Sequence, residues 1–191
     1  PQFVRVLEQR FPDSPYNLVP VVRSRLKAIN GQLIDPEAHK GQRNGWYFTR
    51  EYVLTTSPIL TKDNILTQGQ WWDHTEKHPG DGSTRTSADL PLVSVEEEAA
   101  KNLGLTLGST LTLDIQGVLL VAKVSSLRQV DWSSFSMNFF MIVEPGSFDG
   151  APLTYIATTR VPKTLEVPLQ QAIVALMPNV TAINVGDVLD N

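Results

Sequence analysis

The chain has 191 residues, of which 41% are apolar, and its formal net charge is −4 at pH 7. This length and apolar share suffice to bury a core, as one domain or as two small subdomains. The negative charge and the dispersed basic residues argue against a nucleic-acid partner, because a protein that binds nucleic acid presents a clustered basic surface to the phosphates. The sequence contains no cysteine, so disulfides and thiolate metal sites are excluded. No apolar run approaches the ~18 residues of a membrane span, and Pro1 opens on no recognisable signal peptide.

The first third of the chain predicts a helix, a strand and a hairpin. Residues 1–11 place apolar side chains on one helical face, and Pro12 ends this helix. Leu18–Ile29 alternates apolar with basic residues, which predicts a strand with one wet face. The dipeptide Asn30-Gly31 is a two-residue hairpin signal.

The next stretch is less regular. Asp35–Gly45 is polar and predicts a loop, and Tyr52–Thr56 predicts a strand. Asn64–Trp72 is ambiguous, and His74–Ala88 predicts an exposed polar loop.

Ser94–Gly104 carries the strongest helix signals. Ser94 and Glu97 form a capping box, glutamates crowd the first turn, and Gly104 occupies the C′ position. Leu111–Ile115 alternates as a strand, and Gln116-Gly117 turns the chain.

After this turn, Val118–Leu127 predicts a strand whose two-sided apolar start is buried on both faces. Phe139–Val143 and Leu153–Val161 predict further strands. Val167–Met177 predicts a helix with Pro168 near its first position, and Val180–Val185 predicts a last strand.

The order of these elements predicts an α+β fold. The C-terminal part is strand–helix–strand, the N-terminal part is helix–strand, and the region between them is rich in strands. This order predicts a split βαβ layer with a second, mostly β subdomain inserted into it.

The segment Ser125–Pro145 joins two apolar runs through a polar link that contains Arg128, Asp131 and Trp132. Together these three residues are not a combination typical of a turn, so the link needs another explanation. Arg128 could pair with Asp131, and Trp132 could lie over the aliphatic stem of a cation. We therefore predict that the three residues form a structural corner.

The same region resembles the FtsX/MacB-like permeases of ABC transporters, and within them the large YbbP-type branch. The matching residues are Arg128, Val130–Trp132, Asn138–Phe140, Pro145–Gly146 and Thr154–Thr158, with Val93–Leu113 also similar. The resemblance covers roughly Val19 to Asp187 and is weak between Asp35 and Leu66.

The resemblance implies a porter-like layer of residues 1–28 and 152–191 and an inserted, Sabre-like β subdomain of residues 29–151. It implies an extracytoplasmic, periplasmic domain whose parent permease lies in the inner membrane and works with a separate cytoplasmic ABC ATPase. Such systems export or extract hydrophobic cargo such as lipids or lipoproteins, and a periplasmic or lipoprotein partner is possible. The chain itself is then not an enzyme.

Sites for catalysis or metal binding have weak sequence support. His74 and His78 have helical metal-ligand spacing, but Pro79-Gly80 follows at once and favours a solvated loop. A serine cluster lies beside Asp131 without a nearby histidine, and it favours turns and caps over a triad; it comprises the serines at 125, 126, 133, 134 and 136.

No Gly-rich loop ends in Gly-Lys-Ser/Thr, so the chain alone cannot hydrolyse ATP. We predict no catalytic, cofactor-binding or metal residue.

Adjacent tryptophans on a strand point to opposite faces, so one of Trp71 and Trp72 is predicted in the core. The other could form a contact patch, although burial is favoured for both because large aromatics are mostly buried.

Two other functions stay open at this point. A lipid-ester hydrolase would need a serine within hydrogen-bond reach of a histidine, and an adaptor domain would lack any ligand. The apolar face formed by Val4, Leu7 and Phe11 leads us to expect a further strand before Pro1 in the parent protein, with spanning segments beyond both ends.

Overall fold

The computed structural model describes residues 4–5, 8–9, 11–12, 14–72, 90–134, 136–177 and 179–185. The strands are β1 Tyr16–Ile29, β2 Gln32–Leu33, β3 Glu51–Thr56, β4 Asn64–Gly69, β5 Leu92–Glu96, β6 Thr110–Ile115, β7 Val118–Val130, β8 Met141–Val143 and β9 Thr154–Thr159. The helices are the 3₁₀ turn Glu37–His39, α1 Gly45–Thr49, α2 Glu97–Leu103 and α3 Lys163–Leu176. Residues 4–5 and 8–9 are helical, as predicted for the start of the chain.

The chain divides into two compact units, Pro1–Leu18 with Ile156–Asn191, and Val19–Tyr155. The first, discontinuous unit is called here the terminal unit, and the second is called the central unit. The fold is mixed, with mostly strands and few helices. The porter-like layout and the boundaries at residues 28 and 152 stay predictions.

The central unit is built on a closed ring of six strands. Around the ring, β1 pairs with β3, β3 with β8, β8 with β5, β5 with β7, β7 with β6, and β6 with β1. The β3–β8 and β5–β7 pairs are parallel, and the other pairs of the ring are antiparallel. Closure pairs both sides of each ring strand, which leaves no open edge in the ring.

Alternation along the strands places one set of apolar side chains in a common core. Leu111 and Leu113 of β6 are fully buried, as are Val93 and Val95 of β5. Helix α2 buries Ala99, Ala100 and Leu103 in the same cluster. Full burial of one such leucine contributes roughly 1.5–3 kcal/mol to folding.

The hairpin after β1 forms as predicted. Asn30 and Gly31 have φ angles of 50° and 76°, and β1 pairs with β2 around them. Both positive angles match the two central residues of a type I′ turn, for which Asn-Gly is favoured.

The capping box predicted for Ser94 and Glu97 is wrong. Ser94 lies in β5, fully buried, and accepts a hydrogen bond from Ser126 Oγ at 2.9 Å. Glu96 caps α2 instead, accepting from the backbone N–H groups of Glu98 and Ala99. A carboxylate at this position satisfies the same unpaired donors that a serine would. Gly104 ends the helix with a φ of 67°, as predicted.

The start of β7 is a second correction. Val118 is 67% exposed and Leu119 is 62% exposed, although burial on both faces was predicted there. The strand becomes buried only at Ala122 and Val124. The apolar run therefore marks a strand correctly, but the side chains of its first residues are exposed.

The terminal unit contains α3 and a small apolar cluster. Leu169, Ile173 and Met177 are buried, with Phe11 and Val180 packed against them. Helix α3 begins at Lys163, four residues earlier than predicted, so Pro168 lies inside the helix and not near its first position.

The strand predicted at Val180–Val185 does not form in residues 180–184. Val180 and Ala182 pack on the α3 cluster, whereas Ile183 is 73% exposed and Val185 is 57% exposed. The alternation is that of an extended segment, but no ladder partner is assigned to it among the described residues.

Candidate functional site

Arg128 is the centre of a buried polar cluster in the central unit. It is a fully buried side chain on β7. Its Nη1 donates to Asn64 Oδ1 at 3.0 Å, and its Nη2 donates to the carbonyl oxygen of Phe139. Burial lowers the pKa of Arg128 to about 10, and the negative charge of Glu96 opposes this shift. The guanidinium thus ties β4 to the segment before β8.

The predicted partners of Arg128 are different in the structure. Asp131 is exposed and accepts hydrogen bonds from Ser133, at 3.0 Å from its N–H and 2.6 Å from its Oγ. These bonds lower the pKa of Asp131. No ion pair joins Arg128 to Asp131 within the described part of the chain. That the three residues together form a corner stays a proposal.

Trp132 lies outside the buried cluster. Its side chain is 49% exposed, and its ring centroid is 4.8 Å from that of Phe140. The arginine that contacts the neighbouring aromatic rings is Arg50, and Arg128 makes no ring contact within the part of the chain that the structure describes. The cation that stacks on a tryptophan in this region is Arg50, and it stacks on Trp46, not on Trp132 as expected.

That cation–aromatic stack is built by helix α1 and the end of the link. The guanidinium carbon of Arg50 lies 3.8 Å from the ring centroid of Trp46 and 4.4 Å from that of Phe140. Trp46 is 54% exposed, and its ring lies 5.9 Å from Phe140. We call Trp46, Arg50, Trp132 and Phe140 the aromatic patch.

The sequence patterns do not predict the aromatic patch, because they predict no helix at Gly45–Thr49. The usable signal was the spacing of Trp46 and Arg50. Residues four apart are neighbours on a helix surface, so the cation reaches the ring once α1 forms. Desolvation by burial lowers the pKa of Arg50, which agrees with its position among rings.

The residues beneath the aromatic patch are packed against one another. Tyr52 is fully buried and its hydroxyl donates to the carbonyl oxygen of Tyr47 at 2.5 Å. Burial raises the pKa of Tyr52 above its ordinary value. The rings of Tyr52 and Tyr47 both meet the Phe140 ring edge to face. Exposed tryptophans therefore stand on a packed aromatic base.

The second tryptophan pair is placed differently. Trp72 is 5% exposed and its Nε1 donates to the carbonyl oxygen of Ser57 at 2.7 Å. Trp71 is half-buried, with its Nε1 3.3 Å from the carbonyl oxygen of Pro58. Both pack with Val21 and Ile142 in one apolar cluster. Trp72 is thus a core residue, and a contact role for Trp71 stays a proposal.

The other predicted positions give little chemistry. His74 and His78 lie outside the described residues. Among the described residues, no group of three or more histidine, cysteine, aspartate or glutamate side chains could hold a metal ion. His39 stacks on Phe48 with ring centroids 3.9 Å apart. The buried serine Ser126 bonds to Ser94, as noted above.

No helix in the described part of the chain is both long enough and apolar enough to cross a membrane. Exposed apolar residues are nevertheless numerous on the central unit, and the aromatic patch holds the two largest of them. Trp, Tyr and Arg are the residue types enriched at the energetic centres of protein interfaces. The arrangement is therefore suited to contact.

Comparisons with known proteins relate the chain to a permease. No protein-family model matches the chain. The chain is 32% identical, over 146 residues, to the uncharacterized ABC transporter permease YbbP of Escherichia coli strain K12. The match covers 76% of this chain and 16% of that protein, so the chain spans about one sixth of the relative's length. The chain is therefore a homologue of a segment of an ABC transporter permease.

Among solved structures, the chain is similar to a domain titled a "putative Permease protein" from Porphyromonas gingivalis. The TM-score is 0.43 at 13% identity, covering 95% of this chain and 77% of that one.

Proposed function

We propose that the chain is the extracytoplasmic domain of the permease subunit of an ABC exporter. In this proposal the parent permease lies in the inner membrane, the domain faces the periplasm, and a separate cytoplasmic ATPase supplies the energy. The domain transmits movement between that machinery and hydrophobic cargo of the lipid or lipoprotein class.

The observation that carries the proposal is the 32% identity to a segment of an ABC transporter permease. A domain that transmits movement acts through contacts that differ between two conformations, so it needs a contact surface and no catalytic residues. The central unit provides such a surface in the aromatic patch, where Trp46 and Trp132 are half exposed on a packed base.

The aromatic patch is assigned in this proposal as the coupling contact of the domain. Large rings at the surface bring apolar area into a contact while losing little rotamer freedom. Arg50 adds a charge that its aromatic neighbours partly desolvate. A partner protein of the periplasm, or a lipoprotein, would meet this surface.

The location is tested by single-cysteine labelling, for which the cysteine-free sequence is suited. In the intact parent protein, stripped of any other cysteine, Lys62→Cys places a thiol at an exposed position. We expect a membrane-impermeant maleimide to label it in cells whose inner membrane is intact. Labelling only after lysis of the inner membrane would place the domain in the cytoplasm and refute the proposal.

The matched control is Ser126→Cys, at a fully buried position of the same unit. It should resist the reagent in both conditions and react after denaturation. Purification of the parent from membranes should also retain an ABC ATPase with it. A parent that behaves as an adaptor would carry no ATPase through a wash at moderate salt.

A further inference from the structure

The hairpin between β6 and β7 carries an unusual apolar end. Val118 is 67% exposed, Leu119 is 62% exposed, and Val121 is 38% exposed. We call these three residues the apolar tip. Gln116 and Gly117 form the turn before it, with φ angles of 53° and 95°.

The apolar tip is exposed on both faces of its strand. Consecutive residues of a strand point to opposite sides, so Val118 and Leu119 face away from each other. A flat partner surface could cover one of these faces and would leave the other in water. An environment that surrounds the tip covers both faces, and the acyl boundary of a lipid layer is such an environment.

The groove next to the apolar tip contains positively charged side chains. Arg25 of β1 lies beside Asp114, Gln116 and Gly117 in one open polar groove of about 270 Å³, which Arg23 also lines. The carboxylates there are paired, Glu51 with Arg23 at 3.2 Å and Asp114 with Lys27 at 3.5 Å.

Arg25 itself is exposed and makes no ion pair or side-chain hydrogen bond within the part of the chain that the structure describes. A free guanidinium beside an apolar tip is complementary to the phosphate of a lipid headgroup. Asp149 lines a second groove next to the tip, together with Leu119 and Pro152. This carboxylate is repelled by an anionic surface and limits the depth of insertion to the tip.

We propose that the β6–β7 hairpin docks on a lipid surface, with the apolar tip in the acyl boundary and Arg25 on an anionic headgroup. The proposal rests on the exposure and charge of the central unit alone. It goes beyond the function proposed above, since labelling could place the domain outside the inner membrane whether or not the hairpin touches lipid.

Co-sedimentation with vesicles tests the proposal on the chain as it stands. The probes are vesicles of phosphatidylglycerol with phosphatidylethanolamine, and vesicles of phosphatidylcholine alone. We expect the chain to pellet with the anionic vesicles at low salt. The double variant Val118→Asn, Leu119→Asn should lower the partition coefficient about tenfold or more, because it removes the buried apolar area.

Arg25→Gln should lower partition to the anionic vesicles about fivefold at low salt, as for one basic residue near an anionic surface. This difference should vanish at high salt, where exposed charges are screened. Leu33→Asn is the matched control, because Leu33 is 85% exposed on the other tight hairpin of the unit. It should bind as the unaltered chain does.

Circular dichroism and a thermal melt establish that each variant is folded. We expect all of them to fold, because the substituted positions are exposed. Three results would overturn the proposal. The unaltered chain could fail to pellet with either vesicle, or Leu33→Asn could lose as much binding as the tip variant. The third is self-association of the chain without vesicles that the tip variant abolishes, which would show that a second copy covers the hairpin.

Discussion

Two arginines contact neighbouring residues of the same segment, one in a buried polar environment and the other in a half-exposed aromatic one. Arg128 is fully buried and bonds to the carbonyl oxygen of Phe139, whereas Arg50 is half-buried and stacks on the ring of Phe140. The first has polar partners and the second has aromatic ones. A buried guanidinium needs hydrogen-bond acceptors to offset its lost hydration, while one at the surface can use ring faces and water together.

The difference separates a structural role from a contact role. Arg128 joins β4 and the segment before β8 through atoms that no ligand could reach. Arg50 stacks on the rings of Trp46 and Phe140, and Trp132 packs on Phe140 in turn. Arg50 therefore supports both half-exposed tryptophans of the aromatic patch. We infer that substitutions at the first position act on folding and those at the second act on binding.

The largest expected effect is that of Arg128→Met. The variant leaves Asn64 Oδ1 and the Phe139 carbonyl without their buried donor, and Glu96 without its positive neighbour. Breaking a buried charged cluster in this way costs about 3–5 kcal/mol. Denaturant unfolding of the chain measures it, and a loss below about 1 kcal/mol would contradict the structural role.

Arg50→Ala should cost less, about 1–2 kcal/mol, because it removes one partly desolvated cation from the ring faces of Trp46 and Phe140. Arg50→Lys is the matched variant, since it keeps the charge and loses the planar stacking group. In denaturant unfolding, we expect the stability of Arg50→Lys to lie between that of the unaltered chain and that of Arg50→Ala. An Arg50→Ala loss equal to that of Arg128→Met would erase the distinction between the two arginines.

Trp132→Ala should change stability by about 1 kcal/mol or less, because the side chain is 49% exposed and the packed base remains. Trp72→Ala is the internal comparison, and its 5% exposed ring should cost about 3–5 kcal/mol. Thermal melts of the two variants give the ranking. Equal losses would mean that Trp132 belongs to the core.

The smallest effect concerns pH. The hydrogen bonds from Ser133 depress the pKa of Asp131 in the folded chain. A depressed carboxyl pKa gives stability that is present above the unfolded value and is lost as the pH falls through the folded value. Ser133→Ala should therefore make unfolding slightly less sensitive to acid between about pH 5 and 3. A steeper dependence would contradict the assigned bonds.

Sequence patterns predicted most strands of the central unit because alternation, turn chemistry and burial agree there. Asn30-Gly31 and Gln116-Gly117 are local signals, and both turns form. The predicted start of α2 was wrong because Ser94 belongs to strand β5, and Glu96 caps the helix instead. That decision depends on pairing with β7 and β8, which are distant in sequence.

The candidate site was predictable only in part. The polar link and its tryptophan drew attention to the right segment, but Arg128 and Asp131 take other partners. Arg50, which stacks on Phe140 at the end of the link, follows helix α1 and lies about 80 residues upstream of Arg128. Sequence periodicity reports local structure only and cannot predict a contact between such distant segments. Exposure of Val118 and Leu119 depends on where the ring ends, and the apolar run does not encode that.

The central claim is that the aromatic patch serves coupling and the buried cluster serves folding. The most direct test is ATP hydrolysis by the intact parent permease and its ATPase, reconstituted in lipid vesicles. The double variant Trp46→Ala, Trp132→Ala is compared with the unaltered protein at a temperature where thermal melts show both folded. We predict a loss of cargo- or partner-stimulated hydrolysis of about fivefold or more, as for a contact worth ~1 kcal/mol. Stimulated hydrolysis that is unchanged in this variant would contradict the account.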